Sequence, residues 1–181
     1  MFRPMIKSGN MEIFDLYDRD RILTGETINR GQKPPAGRYH LVVHVCIFNS
    51  KDQMLIQKRS LEKAAWAGLW DVSVGGAAQE GDSSQQAAHR ELLEELGIDY
   101  DFSQIRPVMT VNFPNGFDDI YLVNLDLEFN RLKLQDNEVA EVRWADLGSI
   151  RTMIKNGEFI PYHPSLIDLL FELRFHPGLF Q

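Results

Sequence analysis

The sequence predicts an α/β protein in which a mixed β-sheet lies between helices. Strand-like apolar segments surround one amphipathic helix in the middle of the chain, and two further helical segments close it. This order of elements is typical of a mixed sheet packed between helical layers. A length of 181 residues and a hydrophobic content of 44% fit a domain with a full hydrophobic core.

The expected strands are short apolar runs bounded by turn residues. They cover residues 11–17, 22–29, 40–49, 54–59, 71–74, 105–112, 120–127 and 139–144. The run at 40–49 is apolar almost throughout, which indicates burial on both faces. We expect residues 113–119 to form a loop, because Pro114, Asn115 and Gly116 are strong turn formers. The closing helices are expected at 146–155 and 165–174.

The first 37 residues differ from the rest of the chain in their pattern of strand, turn and proline residues. A charged turn at 18–21 joins the first two strands into a hairpin, and two prolines in residues 31–37 interrupt regular structure. We therefore expect an N-terminal tail, hairpin and linker in residues 1–37, followed by one compact domain in residues 38–181.

Composition narrows the functional classes. The net charge of −7 provides no basic footprint for nucleic acid, and no apolar run reaches membrane-spanning length. The first ten residues lack the apolar core of a signal peptide. The single cysteine, Cys46, cannot form an internal disulfide, which suits a reducing compartment. These features predict a cytoplasmic protein with a small-molecule partner, and leave open a homodimer.

The central helix has local signals at both ends. Ser83 is expected to cap its N-terminus, with Gln86 completing a capping box, and Gly97 stands where a left-handed C-terminal cap falls. Leu92, Leu93 and Leu96, with Ala88 one turn earlier, form the apolar stripe that is expected to pack on the sheet.

Three carboxylates share another face of this helix. Glu91, Glu94 and Glu95 stand at i, i+3 and i+4, where side chains are neighbours, so their like charges repel. A hard divalent cation such as Mg²⁺ would compensate, because it binds carboxylate oxygens and completes its shell with water and phosphate. Gly75 and Gly76 lie just before the helix and let the backbone approach a ligand.

The stretch from Gly76 to Ile98 resembles the Nudix box, G-x5-E-x7-R-E-U-x-E-E-x-G-U, where U is a bulky aliphatic residue. The matching positions are Gly76, Arg90, Glu91, Leu92, Glu94, Glu95, Gly97 and Ile98. Asp82 stands where the family has a glutamate that supports the motif arginine, so the resemblance implies that Asp82 supports Arg90. It also implies a Nudix-type α/β/α sandwich.

Residues 38–98 are similar to the corresponding stretch of the isopentenyl-diphosphate isomerase branch of the same superfamily. The similar stretches are the start of the third strand at His40, the segment LIQKRS and the segment AWAGLWDVSVGG. However, Gly75 stands where the isomerase needs a catalytic cysteine, and Ala77 where it needs a metal-binding histidine. The pattern therefore favours a hydrolase built on an isomerase-like framework.

The resemblance implies a Mg²⁺-dependent hydrolase, with Mn²⁺ as an alternative metal. Such an enzyme cleaves a pyrophosphate bond in a nucleoside diphosphate derivative or a related diphosphate by water attack at phosphorus. Glu91, Glu94, Glu95 and the Gly76 carbonyl are the expected metal ligands, and Arg90 holds the cluster in register. The candidate for an additional catalytic carboxylate is Glu138, and the alternatives are Glu141, Asp118 and Asp119.

Candidate substrate-binding residues lie outside the motif. Lys58 and Arg59 are expected to contact phosphate, Phe113 and Phe117 to stack on a base, and His40 to bind the substrate. The ordinary alternatives are solvated basic residues and a structural histidine. Two other functions stay open: an isomerase, which Gly75 and Ala77 oppose, and a non-catalytic nucleotide-binding module.

Overall fold

The structure, a computed structural model, describes residues 12–175. Its strands are β1 Ile13–Tyr17, β2 Leu23–Asn29, β3 His40–Phe48, β4 Met54–Arg59, β5 Trp70–Asp71, β6 Val74–Ala77, β7 Met109–Phe113, β8 Gly116–Asn124 and β9 Val139–Ala145. Its α-helices are α1 Ser84–Leu96, α2 Leu147–Asn156 and α3 Pro164–Leu173. None of these helices is long and apolar enough to cross a membrane.

Two sheets form within the described residues. β1 and β2 make the expected N-terminal hairpin, and the other strands form a seven-stranded sheet whose main order is β5-β4-β3-β8-β7. β3 and β8 run parallel while the other pairs are antiparallel, so the sheet is mixed. β6 pairs with β3, and β9 pairs with β4.

β3 separates two hydrophobic cores because its side chains alternate between the two faces of the sheet. Val43, Val45 and Ile47 pack into the core that contains the buried face of α1. Cys46 and Phe48 pack into the opposite core, which contains residues of α2 and α3. The predicted sheet between helices is therefore confirmed.

Several predicted boundaries are wrong. Residues 113–119 are not a loop, because β7 and β8 form a tight hairpin in which Phe113 pairs with Gly116. β8 starts at Gly116 because it pairs along its whole length with β3. The strand expected at 71–74 is split between β5 and β6. Leu93 is 43% exposed, and the buried face of α1 includes Ala87 and Glu95 instead.

The N-terminal hairpin packs on the rest of the protein. The backbone N–H of Glu80 donates to the carbonyl of Ile13 at 2.8 Å. Arg21, in the hairpin turn, forms a bidentate pair with the buried carboxylate of Asp119 on β8, at 2.8 and 3.0 Å. The division at residue 37 stays a prediction, and residues 1–11 and 176–181 lie outside the described residues.

A chain of polar side chains crosses the core beneath α3. The imidazole Nδ1 of His44 lies 2.8 Å from the carboxylate of Asp118, and its Nε2 lies 3.4 Å from the Tyr162 hydroxyl. That hydroxyl donates to Asp71 at 2.8 Å, and Asp71 also accepts from Arg59 at 3.2 Å. The chain links β3, β4, β5 and β8 to the segment that leads into α3.

This arrangement predicts that stability depends on the charge of His44. Burial alone would lower the pKa of His44, but the Asp118 carboxylate outweighs burial and raises that pKa to about 9. A histidine with a raised folded pKa stabilises the fold fully below its unfolded pKa of about 6.5 and loses this contribution as pH rises through the folded value. We expect the free energy of unfolding to lose about 3 kcal/mol from this source between about pH 6 and pH 10.

Denaturant titrations of the wild type and of His44→Gln across that pH range measure this contribution. The stability difference between the two proteins should shrink as pH rises. A constant difference over the range would mean that His44 is neutral in the folded protein.

Candidate active site

The helix α1 begins and ends where the sequence predicts. The Ser83 hydroxyl accepts from the N–H of Gln86 at 3.2 Å, and the Gln86 side chain accepts from the N–H of Ser83 at 2.8 Å. Gly97 ends the helix with a positive φ of 71°, which glycine adopts without a steric penalty. These caps fix the register of the helix and hence the positions of its glutamates.

The three glutamates of α1 line one cavity of about 220 Å³. Glu95 is buried, Glu91 is nearly buried, and Glu94 is about half exposed. Residues from five other segments complete the lining, namely Glu12, Phe14, Arg30, Lys63, Gly75, Gly76, Ala77, Gln135 and Glu138. The cavity therefore concentrates carboxylates from different parts of the chain.

Gly76 is the point where β6 approaches the helix. A Cβ atom at this position would collide with the carboxyl group of Glu91. The absence of a side chain lets the backbone of Gly76 lie directly against that carboxylate. Gly76 and Glu91 are therefore neighbours at the cavity.

Arg90 connects the helix to the loop before it. Its guanidinium donates to Asp82 at 2.9 and 3.1 Å and to the carbonyl of Ala77 at 3.0 Å. It also donates to Glu91 at 2.8 Å and reaches Glu94 at 3.4 Å. The shorter Asp82 side chain thus reaches the motif arginine despite the missing methylene.

The cavity raises the pKa of two of its carboxyl groups. Burial and the neighbouring charge of Glu91 raise the pKa of Glu95 to about 7, against the lowering effects of Gln57 and Lys63. Burial is also the main cause of the raised pKa of Glu91, and its ion pair with Arg90 opposes the shift. For both groups, burial outweighs the nearby cation that favours the ionised form.

The three glutamates of α1 are held by two different residues. Glu95 accepts from the Gln57 amide at 2.9 Å, whereas Glu91 and Glu94 face Arg90. Within residues 12–175, no three carboxylate, imidazole or thiolate groups converge at metal-ligand distance. Carboxylate oxygens are the donors that Mg²⁺ prefers, and the glutamate side chains would have to rotate to share one ion.

Glu138 lies in the cavity, close to the start of β9. Its carboxylate forms an ion pair with Lys63, and both side chains are largely buried. The alternative Glu141 is exposed and is not part of the cavity lining. The other two alternatives are already paired, Asp118 with His44 and Asp119 with Arg21.

The predicted substrate-binding residues lie outside the cavity lining. Phe117 is 5% exposed and packs against Tyr17 and Tyr39, so its burial disfavours the stacking role, which stays a prediction. Its side chain is buried because β8 begins before it.

The other residues predicted to bind substrate either lie near the cavity without lining it or are paired with other residues. Arg59 pairs with Asp71, and Lys58 is a half-buried residue of β4. Phe113 packs edge-on against His40, whose ring stacks on Phe14 of the cavity wall. His40 and Phe113 therefore reach the cavity only through Phe14.

Several cavity residues were not anticipated from the sequence. Glu12, Phe14 and Arg30 come from the hairpin, and Lys63 comes from the segment between β4 and β5. No local pattern reveals them, because their neighbours in the cavity are distant in sequence. The charge balance of the motif gave the only available signal, since a cluster of glutamates requires nearby cations.

A model of the NUDIX domain matches residues 38–165. The chain belongs to the Nudix family. An uncharacterized Nudix hydrolase of Listeria monocytogenes is 45% identical over 164 residues, which cover 91% of this chain and 96% of the relative. This Nudix chain is also 34% identical over 152 residues to an isopentenyl-diphosphate Δ-isomerase of Klebsiella pneumoniae, covering 75% of the chain and 83% of that enzyme.

The fold of this Nudix protein also has a close match among solved structures. A crystal structure of a Deinococcus radiodurans protein superposes with a TM-score of 0.71 at 27% identity, over 89% of this chain and 98% of the other. The predicted membership of the Nudix hydrolases and the similarity to the isomerase branch are thus both confirmed.

Proposed function

We propose that this Nudix enzyme is a Mg²⁺-dependent hydrolase that cleaves the pyrophosphate bond of a nucleoside diphosphate derivative or a related small diphosphate. The supporting observation is the shared cavity, in which Glu91, Glu94 and Glu95 of α1 meet Glu138 beside the backbone of Gly76. A cytoplasmic location and a homodimer remain predictions from the sequence.

The residues proposed to hold the metal are Glu91, Glu94, Glu95 and the Gly76 carbonyl, all of them oxygen donors. Mg²⁺ suits such donors, and Mn²⁺ accepts the same set. A bound metal would neutralise phosphate oxygens and lower the pKa of a water molecule. Arg90 donates to both Glu91 and Asp82, so its role in the proposal is to position the ligands.

In the proposed reaction, Glu138 accepts a proton from the attacking water. The water oxygen forms a bond to phosphorus, and the bridging P–O bond breaks with its electron pair leaving on the departing phosphate. A carboxylate that lines the cavity without belonging to the α1 cluster suits this role, because it is not expected to be neutralised by the metal.

Isomerase activity is the second candidate, since relatives in that branch cover most of the chain. The geometry at Gly75 opposes it. A Cβ atom at Gly75 would lie 2.5 Å from the imidazole ring of His44, so a cysteine has no room there without movement of His44. A non-catalytic binding module is the third candidate, and the complete set of carboxylates argues against it.

A substrate panel tests the proposal directly. The panel contains nucleoside diphosphates, nucleoside triphosphates, nucleotide sugars and isopentenyl diphosphate, each with Mg²⁺ and with a chelator. We expect metal-dependent release of a phosphate-containing product from at least one nucleotide. Isomerised isopentenyl diphosphate with all nucleotides intact would support the isomerase instead, and binding without turnover would support the binding module.

The role of Glu138 is tested by Glu138→Gln on the best substrate of the panel. We expect kcat to fall by about 10²-fold or more, which is typical of the loss of a general base. Glu141→Gln is the matched control, since Glu141 is an exposed residue of β9, three positions after Glu138. Equal losses in the two variants would show that Glu138 has no specific role.

A further inference from the structure

Lys63 is the cation that pairs with Glu138 in the wall of the cavity. It belongs to the segment between β4 and β5, and its side chain is only 13% exposed. Its ammonium group contacts a carboxylate oxygen of Glu138, whose side chain is 16% exposed. A lysine buried to this extent loses hydration, so its position indicates a specific electrostatic role.

The backbone around Lys63 is tied to the cavity wall. The N–H of Ser60 donates to the carbonyl of Glu138 at 2.9 Å, and the N–H of Gly68 donates to the carbonyl of Arg59 at 3.1 Å. The Arg59 side chain donates to the carbonyl of Ala65 at 3.2 Å. The backbone of the segment is thus held in place, while the four-carbon stem of Lys63 can still move the ammonium group.

The other cations near the cavity have carboxylate partners of their own. Arg30 pairs with Glu12 at 2.8 Å within the hairpin, and Arg90 is engaged by Asp82 and Glu91. Among the described residues that line the cavity, this leaves Lys63 as the positive charge on the Glu138 side. Its charge also favours the ionised form of Glu95.

We propose that Lys63 is an internal counter-ion, which holds Glu138 in the metal-free site and gives way when a divalent cation enters. This inference rests on the proposed function. The ammonium group and the divalent cation are attracted by the same carboxylates and repel each other, so they compete for the cavity. Entry of the metal therefore releases Glu138 to accept a proton, which couples metal loading to catalysis.

The proposal predicts that removing the charge of Lys63 strengthens metal binding. Lys63→Met keeps the length of the stem and removes the competing charge. We expect it to bind Mn²⁺ about tenfold more tightly than the wild type at about pH 8.5 in calorimetry without substrate. Lys155→Met, at an exposed position near the end of α2, is the matched control and should bind Mn²⁺ like the wild type.

A double-mutant cycle with Glu138→Gln tests whether the effect acts through Glu138. The gain from Lys63→Met should shrink when Glu138 is already neutral. Unchanged or weaker Mn²⁺ binding by Lys63→Met would overturn the proposal, as would an undiminished gain in the Glu138→Gln background. If Lys63→Met does not fold, Lys63→Gln serves for the same measurements.

The same experiment separates the two levels of inference. Failure of the wild type to bind Mn²⁺ would contradict the proposed metal-dependent function itself. Wild-type binding that is insensitive to Lys63 would leave that function intact and contradict only the counter-ion.

Discussion

Glu95→Gln is expected to abolish metal-dependent hydrolysis while making the metal-free protein more stable. Glu95 is 4% exposed and is the most buried of the three proposed metal-binding glutamates. Neutralising it removes the charge of a proposed metal ligand. We expect turnover to fall by about 10³-fold, in line with the loss of a central electrostatic group in other enzymes.

The gain in stability follows from the pKa of Glu95. Burial and Glu91 raise that pKa to about 7, above the unfolded value of 4.5. A carboxyl group with a raised folded pKa destabilises the fold increasingly as pH rises from the unfolded to the folded value, and fully above it. Glutamine carries no charge, so the variant should gain about 2 kcal/mol at about pH 8 without metal.

A hydrogen bond adds to the gain. The side-chain oxygen of Gln57 is buried and has no hydrogen-bond partner among the described residues. The amide of a glutamine at position 95 supplies a donor close to it, because Gln57 and Glu95 are already 2.9 Å apart. A buried oxygen without a hydrogen-bond partner destabilises the folded protein, so a new hydrogen bond to it should stabilise the variant.

Two measurements check this prediction. Chemical denaturation at about pH 8 in a chelator compares the free energies of unfolding, and thermal melts with added Mg²⁺ compare the metal response. Mg²⁺ should raise the melting temperature of the wild type and leave that of Glu95→Gln nearly unchanged. Retained turnover would remove Glu95 from the metal site, and a lower stability would mean that its charge is compensated in the folded protein.

Gly76→Ala is expected to damage the site through a single methyl group. The new Cβ would collide with the Glu91 carboxyl group, so either β6 or Glu91 must move. Overpacking of this kind costs about 1–3 kcal/mol of stability. Because the displaced group is a proposed metal ligand, we expect kcat/KM to fall by about 10²-fold as well.

Gly148→Ala is the matched control for this substitution. Gly148 lies in the first turn of α2, where an added Cβ meets only Asp146 at an ordinary distance of 3.4 Å. Alanine is the better helix former, so this variant should be as stable as the wild type or about 0.5–1 kcal/mol more stable, with full activity. Wild-type turnover in Gly76→Ala would show that Glu91 can shift without consequence for the reaction.

The features that depend on short-range contacts could be predicted from the sequence. The caps of α1 at Ser83 and Gly97 involve residues within one helical turn, so local patterns identify them. Arg90 and Asp82 are eight residues apart and also lie within the motif. The family resemblance supplied the remaining motif positions, because they occur at fixed offsets.

The sequence could not predict contacts that depend on strand pairing. Phe117 looked like an apolar residue at a loop tip, but the parallel pairing of β8 with β3 buries it. The contact between Lys63 and Glu138 joins residues 75 positions apart. Neither periodicity nor turn chemistry carries information about such a pair.

The hairpin that packs on the domain has an evolutionary consequence. Phe14 in β1 and Arg30 just after β2 reach the cavity from a separate sheet, whereas the glutamates of α1 are fixed by caps at the ends of their own helix. Substitutions in the hairpin can therefore reshape the rim of the cavity without displacing the carboxylates. In this protein, the helix that carries the proposed metal ligands and the hairpin that borders them can therefore change in sequence independently.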